Sequence, residues 1–210
     1  MMYHRKIGEL YLFVSYAPGT GKSYRMCQMA SQQELSGRSV IYASIFDGHR
    51  DIPKPTACHS YSIPTLLEAA PDIVVMDEFT LKGENADDPN RFIYEDVDIL
   101  LEHDISVYTT VNMTAFEEID KRCSAQTGFH RKQLLSDRWL IQATRIYFID
   151  MDTGMLYQNY LQNFLFPKSS KNPTTDLIFR RENLELYRKE SMIYLQQFSN
   201  VIWWNRNDTL

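Results

Sequence analysis

Leu10-Tyr11-Leu12-Phe13-Val14-Ser15-Tyr16-Ala17-Pro18-Gly19-Thr20-Gly21-Lys22-Ser23 decides the reading of this chain. An apolar run enters a glycine-rich turn, and the turn enters Lys-Ser and a helical pattern. That is the layout of a phosphate-binding loop, with the strand before it and the helix after it that such a loop requires. The first N–H groups of a helix have no intrahelical partner, and the helix dipole favours an anion beside them. Gly19 and Gly21 let the main chain curl so that several N–H groups converge on one phosphate chain. The residues expected to bind a nucleotide are Pro18, Gly19, Thr20, Gly21, Lys22, Ser23 and Tyr24. Lys22 is expected to reach the β/γ-phosphates, and the Ser23 hydroxyl to bind Mg²⁺. Tyr16 stands where the strict pattern G-x-x-x-x-G-K-[ST] has glycine, so a loop mouth of different shape is expected. The competing reading is an ordinary glycine-rich turn with an exposed lysine.

Such a site needs a metal-side acid, and the chain offers one. Pro71-Asp72-Ile73-Val74-Val75-Met76-Asp77-Glu78 is a buried strand ending in two carboxylates. Asp77 is the candidate to hold Mg²⁺ through its water shell. Glu78 is the candidate base that orients or deprotonates an attacking water. Strands often end in acids, so this pattern gains its weight from the phosphate loop upstream.

The remaining elements extend the same architecture. The helix after the loop is expected over Lys22 to about Leu35, with Gly37 past its end. Ser39–Phe46 reads as a second strand leading to Asp47-Gly48-His49-Arg50, at the edge where open α/β sheets bind ligands. A plain Asp-Gly turn explains that stretch equally well. Residues 51–64, with Pro53, Pro55 and Pro64, read as an irregular connection, followed by a short helix over Thr65–Ala70. Phe79–Arg91 reads as an exposed loop, and Phe92–Glu102 as a helix. Ile105–Asn112 is a fourth strand ending in hydroxyls and an amide. There Thr109–Asn112, and Asn112 in particular, can sense a γ-phosphate; strand propensity of Thr and helix capping by Asn112 account for the pattern as well.

Ala115–Ala125 reads as a helix, His130-Arg131-Lys132 as a solvated or contacting charge cluster, and Arg145–Asp150 as a fifth strand. Strands alternating with helices imply a mostly parallel five-stranded α/β sheet with helices on both faces and right-handed crossovers. Residues 1–163 are read as the nucleotide-binding domain, 164–179 as a linker or docking strap, and 180–210 as a helical extension. Arg180–Phe198 in that extension is amphipathic, and Val201-Ile202-Trp203-Trp204 reads as a docked apolar tail, with an exposed interaction patch as the alternative.

Composition narrows the classes of partner. Twenty-two Lys and Arg against 27 Asp and Glu leave a net charge of −5 in 210 residues. A mildly acidic body repels phosphate backbones, so no nucleic-acid partner is expected. The cysteines are Cys27, Cys58 and Cys123, too scattered for a metal motif or disulfide framework, which fits a reducing, cytoplasmic setting. Met1–Glu9 lacks the apolar core of a signal peptide. No run of about 18 apolar residues predicts a spanning helix.

Several separate stretches resemble the cytoplasmic N-terminal domain of the KdpD family of osmosensitive potassium-channel sensor kinases. They are Ala17–Ser23, Asp77-Glu78, Tyr94-Glu95-Asp96-Val97, Val107-Tyr108-Thr109-Thr110-Val111-Asn112, Gln126-Thr127-Gly128 and Asn183-Leu184-Glu185-Leu186-Tyr187-Arg188. The resemblance runs over roughly residues 8–197, and Tyr-Thr-Thr-Val-Asn is its most specific string. The family pattern also lacks the first strict glycine. After Asp77-Glu78 the family continues with a Leu-Ala-His-Thr-Asn string and a basic segment, whereas here Phe79-Thr80-Leu81-Lys82-Gly83-Glu84 stands. Full-length members carry a universal-stress-like domain, membrane helices and a histidine-kinase core. None of these is read in the 210 residues, so a truncated or standalone form is expected, without histidine autophosphorylation of its own.

The resemblance implies an ATP-binding sensory domain in potassium or osmotic two-component signalling, acting on a protein partner that can itself be membrane-bound. Two alternatives stand beside it. One is a slow Mg-dependent ATPase, with Arg50, Arg91 or Arg131 as in-chain arginine donors. The other is an interaction module with a degenerate nucleotide site.

Overall fold

The structure is a computed structural model that describes residues 8–44, 60–83, 85–166 and 168–205. The Asp47–Arg50 turn, Pro53, Pro55, Cys58 and Pro167 lie outside the described residues. In chain order the elements are β1 (Leu10–Ser15), α1 (Lys22–Leu35), β2 (Val40–Ser44), α2 (Ile63–Ala69), β3 (Ile73–Met76), α3 (Ile93–Glu102) and β4 (Ser106–Asn112). After a 3-10 turn at Met113–Ala115 come α4 (Glu117–Thr127), α5 (Arg138–Gln142), β5 (Arg145–Asp150), α6 (Thr153–Leu161), a second 3-10 turn at Lys168–Ser170, α7 (Pro173–Ile178), α8 (Arg181–Leu195) and β6 (Val201–Asn205).

The sheet has six strands in the order β2-β3-β4-β1-β5-β6, one more than the five expected. β6 is the addition. It lies parallel to β5, with Ile146 opposite Val201 and Phe148 opposite Trp203. The short apolar run Val201–Trp204 carries no local mark that separates a strand from a docked tail. Only its pairing with β5, some fifty residues upstream, makes it one.

The chain divides into two compact units, the first made of Met1–Phe13, Ser23–Val111 and Ala143–Arg145. Within it β2 pairs parallel with β3, and β3 parallel with β4. All four residues of β3 and all seven of β4 are buried. That double-sided burial is why both read as unbroken apolar or small-polar runs rather than as alternating ones. Tyr108 carries the contact onto β1, its ring 4.7 Å from Tyr11 and 5.7 Å from Phe13. Ser62 caps α2 by accepting from the Thr65 N–H, which starts the helix at Ile63 rather than at Thr65.

The stretch after Glu78 is exposed as expected at Leu81, Lys82, Ala86, Asp87, Pro89 and Asn90, but it also carries buried residues. Phe79 is fully buried and Asn85 nearly so. A buried carboxyl group holds Asn85 in place. Asp96 on α3 accepts from the Tyr61 hydroxyl at 2.6 Å, from the Asn85 amide at 3.1 Å and from Arg91 at 3.3 Å. A carboxyl group with no exposure needs such partners, and Asn85 and Arg91 bring the loop to it. Burial, then the hydrogen bond to Asp96, pushes the Tyr61 hydroxyl far above its ordinary pKa, so it stays a donor.

The second unit is made of Val14–Lys22, Asn112–Gln142 and Ile146–Leu210. α8 is its central helix and packs on α4, α6 and α7. Leu184, Tyr187, Tyr194 and Leu195 supply the buried face of α8. Arg188 leaves that face to form two bonds with Asp150 at the end of β5, at 2.8 and 2.6 Å. The segment read as a linker contains α7, which Asn172 caps by accepting from the N–H groups of Thr174 and Thr175. No helix among the described residues is long and apolar enough to cross a membrane.

Candidate functional site

The functional side chains form two clusters, one in each unit, joined in the chain by the Lys22–Ser23 peptide bond. In the second unit the loop from Ala17 to Lys22 has the conformation its glycines allow. Gly19 has φ +84° and Gly21 φ +101°, both in the left-handed region. A side chain at either would strain the backbone, though the surroundings differ. A Cβ at Gly21 would meet nothing within 4 Å, whereas at Gly19 it would lie 2.6 Å from Leu165.

Lys22 is not the exposed lysine of an ordinary turn. It is only 4% exposed, and its ammonium donates to Asn112 Oδ1 at 2.8 Å and to the Ala17 carbonyl at 3.4 Å. Asn112, at the end of β4, therefore sits on the charged end of the loop lysine rather than capping the next helix by its side chain. Thr20 is fully buried, and its hydroxyl has no hydrogen-bond partner. A buried hydroxyl without a partner costs about 1–3 kcal/mol, which a phosphate oxygen would recover. The left-handed glycines, the buried ammonium and the orphan hydroxyl suit a polyphosphate.

Tyr16 does not bar the loop. Its ring is fully buried, and its hydroxyl donates to the Met151 carbonyl at 2.7 Å. Burial, then the Asp150 charge, raises its pKa, so it remains a neutral donor. The position where the strict motif has glycine thus holds a core anchor.

In the first unit Asp77, 2% exposed, gathers three donors on one oxygen. Oδ1 accepts from the Ser23 hydroxyl at 3.0 Å, from the Glu78 N–H at 3.0 Å and from the Thr110 hydroxyl. Thr110 Oγ1 also accepts from the Glu78 N–H at 3.1 Å. Glu78 itself has φ +57°, an uncommon conformation for a residue with a side chain. Such backbone strain persists where surrounding bonds over-determine it, and here the Asp77 and Thr110 oxygens do so. The Ser23 hydroxyl and the Asp77 carboxylate are the hard oxygen ligands that Mg²⁺ takes, directly or through water.

Of the other expected residues, Pro18 is partly exposed and Tyr24 is 47% exposed at the start of α1. Arg91 is engaged by Asp96, and the main chain at Arg131 by Asp120. Arg50 lies outside the described residues. Thr110 as the brace of Asp77 went unread, because a Thr in a strand is ordinary. Leu165 had no signal at all.

Against known proteins, the family described as "KdpD: Osmosensitive K+ channel His kinase sensor domain" matches residues 49–198. The chain belongs to the KdpD sensor-domain family. The KdpD match starts beyond the phosphate loop. A "Putative sensor protein KdpD" from Synechocystis is 23% identical over 95% of this chain and 57% of its own length. "Sensor protein KdpD" from Clostridium acetobutylicum is 24% identical over 87% of this chain and 22% of its own. The Escherichia coli K12 protein of that name is 22% identical over the same shares, 87% and 22%. The chain thus spans from about a fifth to just over half of the KdpD proteins it matches. Among solved structures, AMPPCP-bound DnaA from Aquifex aeolicus aligns over 91% of this chain and 56% of that one, at 13% identity and a TM-score of 0.35.

Proposed function

We propose that this chain is a Mg-ATP-binding sensory domain that reports nucleotide occupancy to a protein partner in potassium or osmotic two-component signalling. The observation that carries the reading is the hydrogen bond from Ser23 to Asp77 at 3.0 Å. It pairs the hydroxyl and the carboxylate that a divalent cation would share, immediately after a buried loop lysine. Bound Mg²⁺ would neutralise phosphate charge there. Lys22 and the amides of Gly19–Lys22 would hold the phosphates, and Asn112 would keep the ammonium aligned. The signalling role rests on the sensor proteins of the family. A nucleotide shifts a two-state domain only by its differential affinity for the two states, so occupancy must alter a surface the partner reads.

The test is a calorimetric titration with ATP, with and without Mg²⁺. The wild type is expected to bind Mg-ATP more tightly than metal-free ATP. Asp77→Asn removes the anionic ligand and should abolish that metal dependence. An unchanged Mg²⁺ effect in the variant would refute the assignment of Asp77.

Slow hydrolysis is the second reading, favoured by Glu78, whose main chain is pinned by Asp77 and Thr110. Glu78→Gln should then stop phosphate release while nucleotide affinity stays within about threefold, a change of less than 1 kcal/mol. Equal turnover in the variant would exclude Glu78 as the base.

A further inference from the structure

We infer that Leu165 is a positioning residue of the nucleotide site, and that the strap around it moves with nucleotide occupancy. The inference rests on the nucleotide reading above. Its ground is the contact at Gly19, where a Cβ would fall 2.6 and 2.9 Å from the two methyl carbons of Leu165. Leu165 therefore lies directly on the α-carbon of a loop residue whose amide is to face phosphate. Interiors pack at crystal-like density, so a displacement of that peptide passes to the side chain against it.

The strap is built to receive such a displacement at one point. Behind Leu165 it is fixed. Phe166 stands edge-on to Tyr160 and to Phe179, with ring centres 6.5 and 5.8 Å away. Tyr160 and Phe179 stack at 4.3 Å, and Lys171 sits 4.1 Å over the Tyr160 ring. Tyr160 also donates its hydroxyl to Asp176, in the first turn of α7. Ahead of Leu165, Asn163 has φ +61°, and the N–H groups of Asn163 and Phe164 close the end of α6 on the Tyr160 and Asn159 carbonyls at 3.1 and 2.9 Å. The aromatic group is an anchor, and Leu165 is the contact between strap and loop.

Coupling between two elements is reciprocal. Nucleotide binding should order the strap, and loss of the Leu165 contact should weaken nucleotide binding. The experiment is amide hydrogen exchange over residues 163–166, with and without Mg-ATP, beside calorimetric affinities for the wild type, Leu165→Ala and Leu165→Met. In the wild type Mg-ATP should slow exchange of these amides at least about threefold, from a loss of local opening. Leu165→Ala should lower affinity about 5- to 50-fold, within the usual range of site coupling, and erase the exchange response. Leu165→Met, which keeps volume, should restore both. If the wild type binds Mg-ATP while exchange at 163–166 is unmoved, the inference falls and the nucleotide reading stands. Equal affinity in Leu165→Ala has the same consequence. Should Leu165→Ala fail to fold, the wild-type exchange result still decides. No binding of Mg-ATP by the wild type overturns the nucleotide reading and the inference together.

Discussion

Lys22→Ala should reduce ATP affinity by at least about 100-fold, the loss of roughly 3 kcal/mol that a charge-assisted contact to phosphate is worth. Lys22 is only 4% exposed, and its ammonium donates to the Asn112 amide oxygen at 2.8 Å and to the Ala17 carbonyl at 3.4 Å. A buried cation gains from an anion placed beside it. The fold should survive, since the variant leaves the Asn112 and Ala17 oxygens short of a donor at about 1–3 kcal/mol each. Calorimetric titration and thermal unfolding of the same preparations separate the two effects. Wild-type affinity in the variant would mean that Lys22 does not hold phosphate. Loss of folding would mean that the lysine serves the core instead.

Tyr16→Gly has the opposite signature. The substitution restores the strict glycine of the phosphate-loop pattern, and by motif alone it ought to be harmless. Physically it should be the more damaging change to stability. The Tyr16 ring is fully buried, and its hydroxyl bonds the Met151 carbonyl at 2.7 Å. Removing a buried aromatic ring costs about 3–5 kcal/mol. At about 2–4 °C per kcal/mol for a chain of this size, Tm should fall by roughly 6–20 °C. Tyr16→Phe keeps the ring and loses only the hydroxyl bond, so its cost should stay near 1 kcal/mol. Differential scanning calorimetry of both variants checks the pair. A Tyr16→Gly protein as stable as the wild type would contradict the anchoring role.

Much of the candidate site was legible because its chemistry is local. Gly19, Gly21, Lys22 and Ser23 are close in sequence, and the backbone they require is set by residue type. Asp77 was legible as an acid that ends an apolar strand in a chain whose sequence carries a phosphate-loop pattern upstream. Other features depended on distance in the chain. Thr110 braces Asp77 from thirty-three positions away, and nothing in a valine- and threonine-rich strand marks which hydroxyl turns toward an acid. The loop after Glu78 reads as exposed because it is polar, and half of its described residues are so, yet Phe79, Gly83 and Asn85 are buried, with Asn85 bonded to Asp96. Polar composition marks exposure only where no buried polar group needs partners.

The sequence by itself determined the α/β class, the strand-loop-helix around Gly19–Ser23, and the acid after β3. These follow from periodicity, turn chemistry and the backbone freedom of glycine, all of which act over a few residues. Tertiary structure alone decided that Val201–Asn205 is a sixth strand, that Tyr16 is an anchor rather than an obstacle, and that Leu165 rests on Gly19. Each depends on which distant segment lies alongside. Pairing and packing energies belong to two stretches of chain at once, so neither stretch carries them alone.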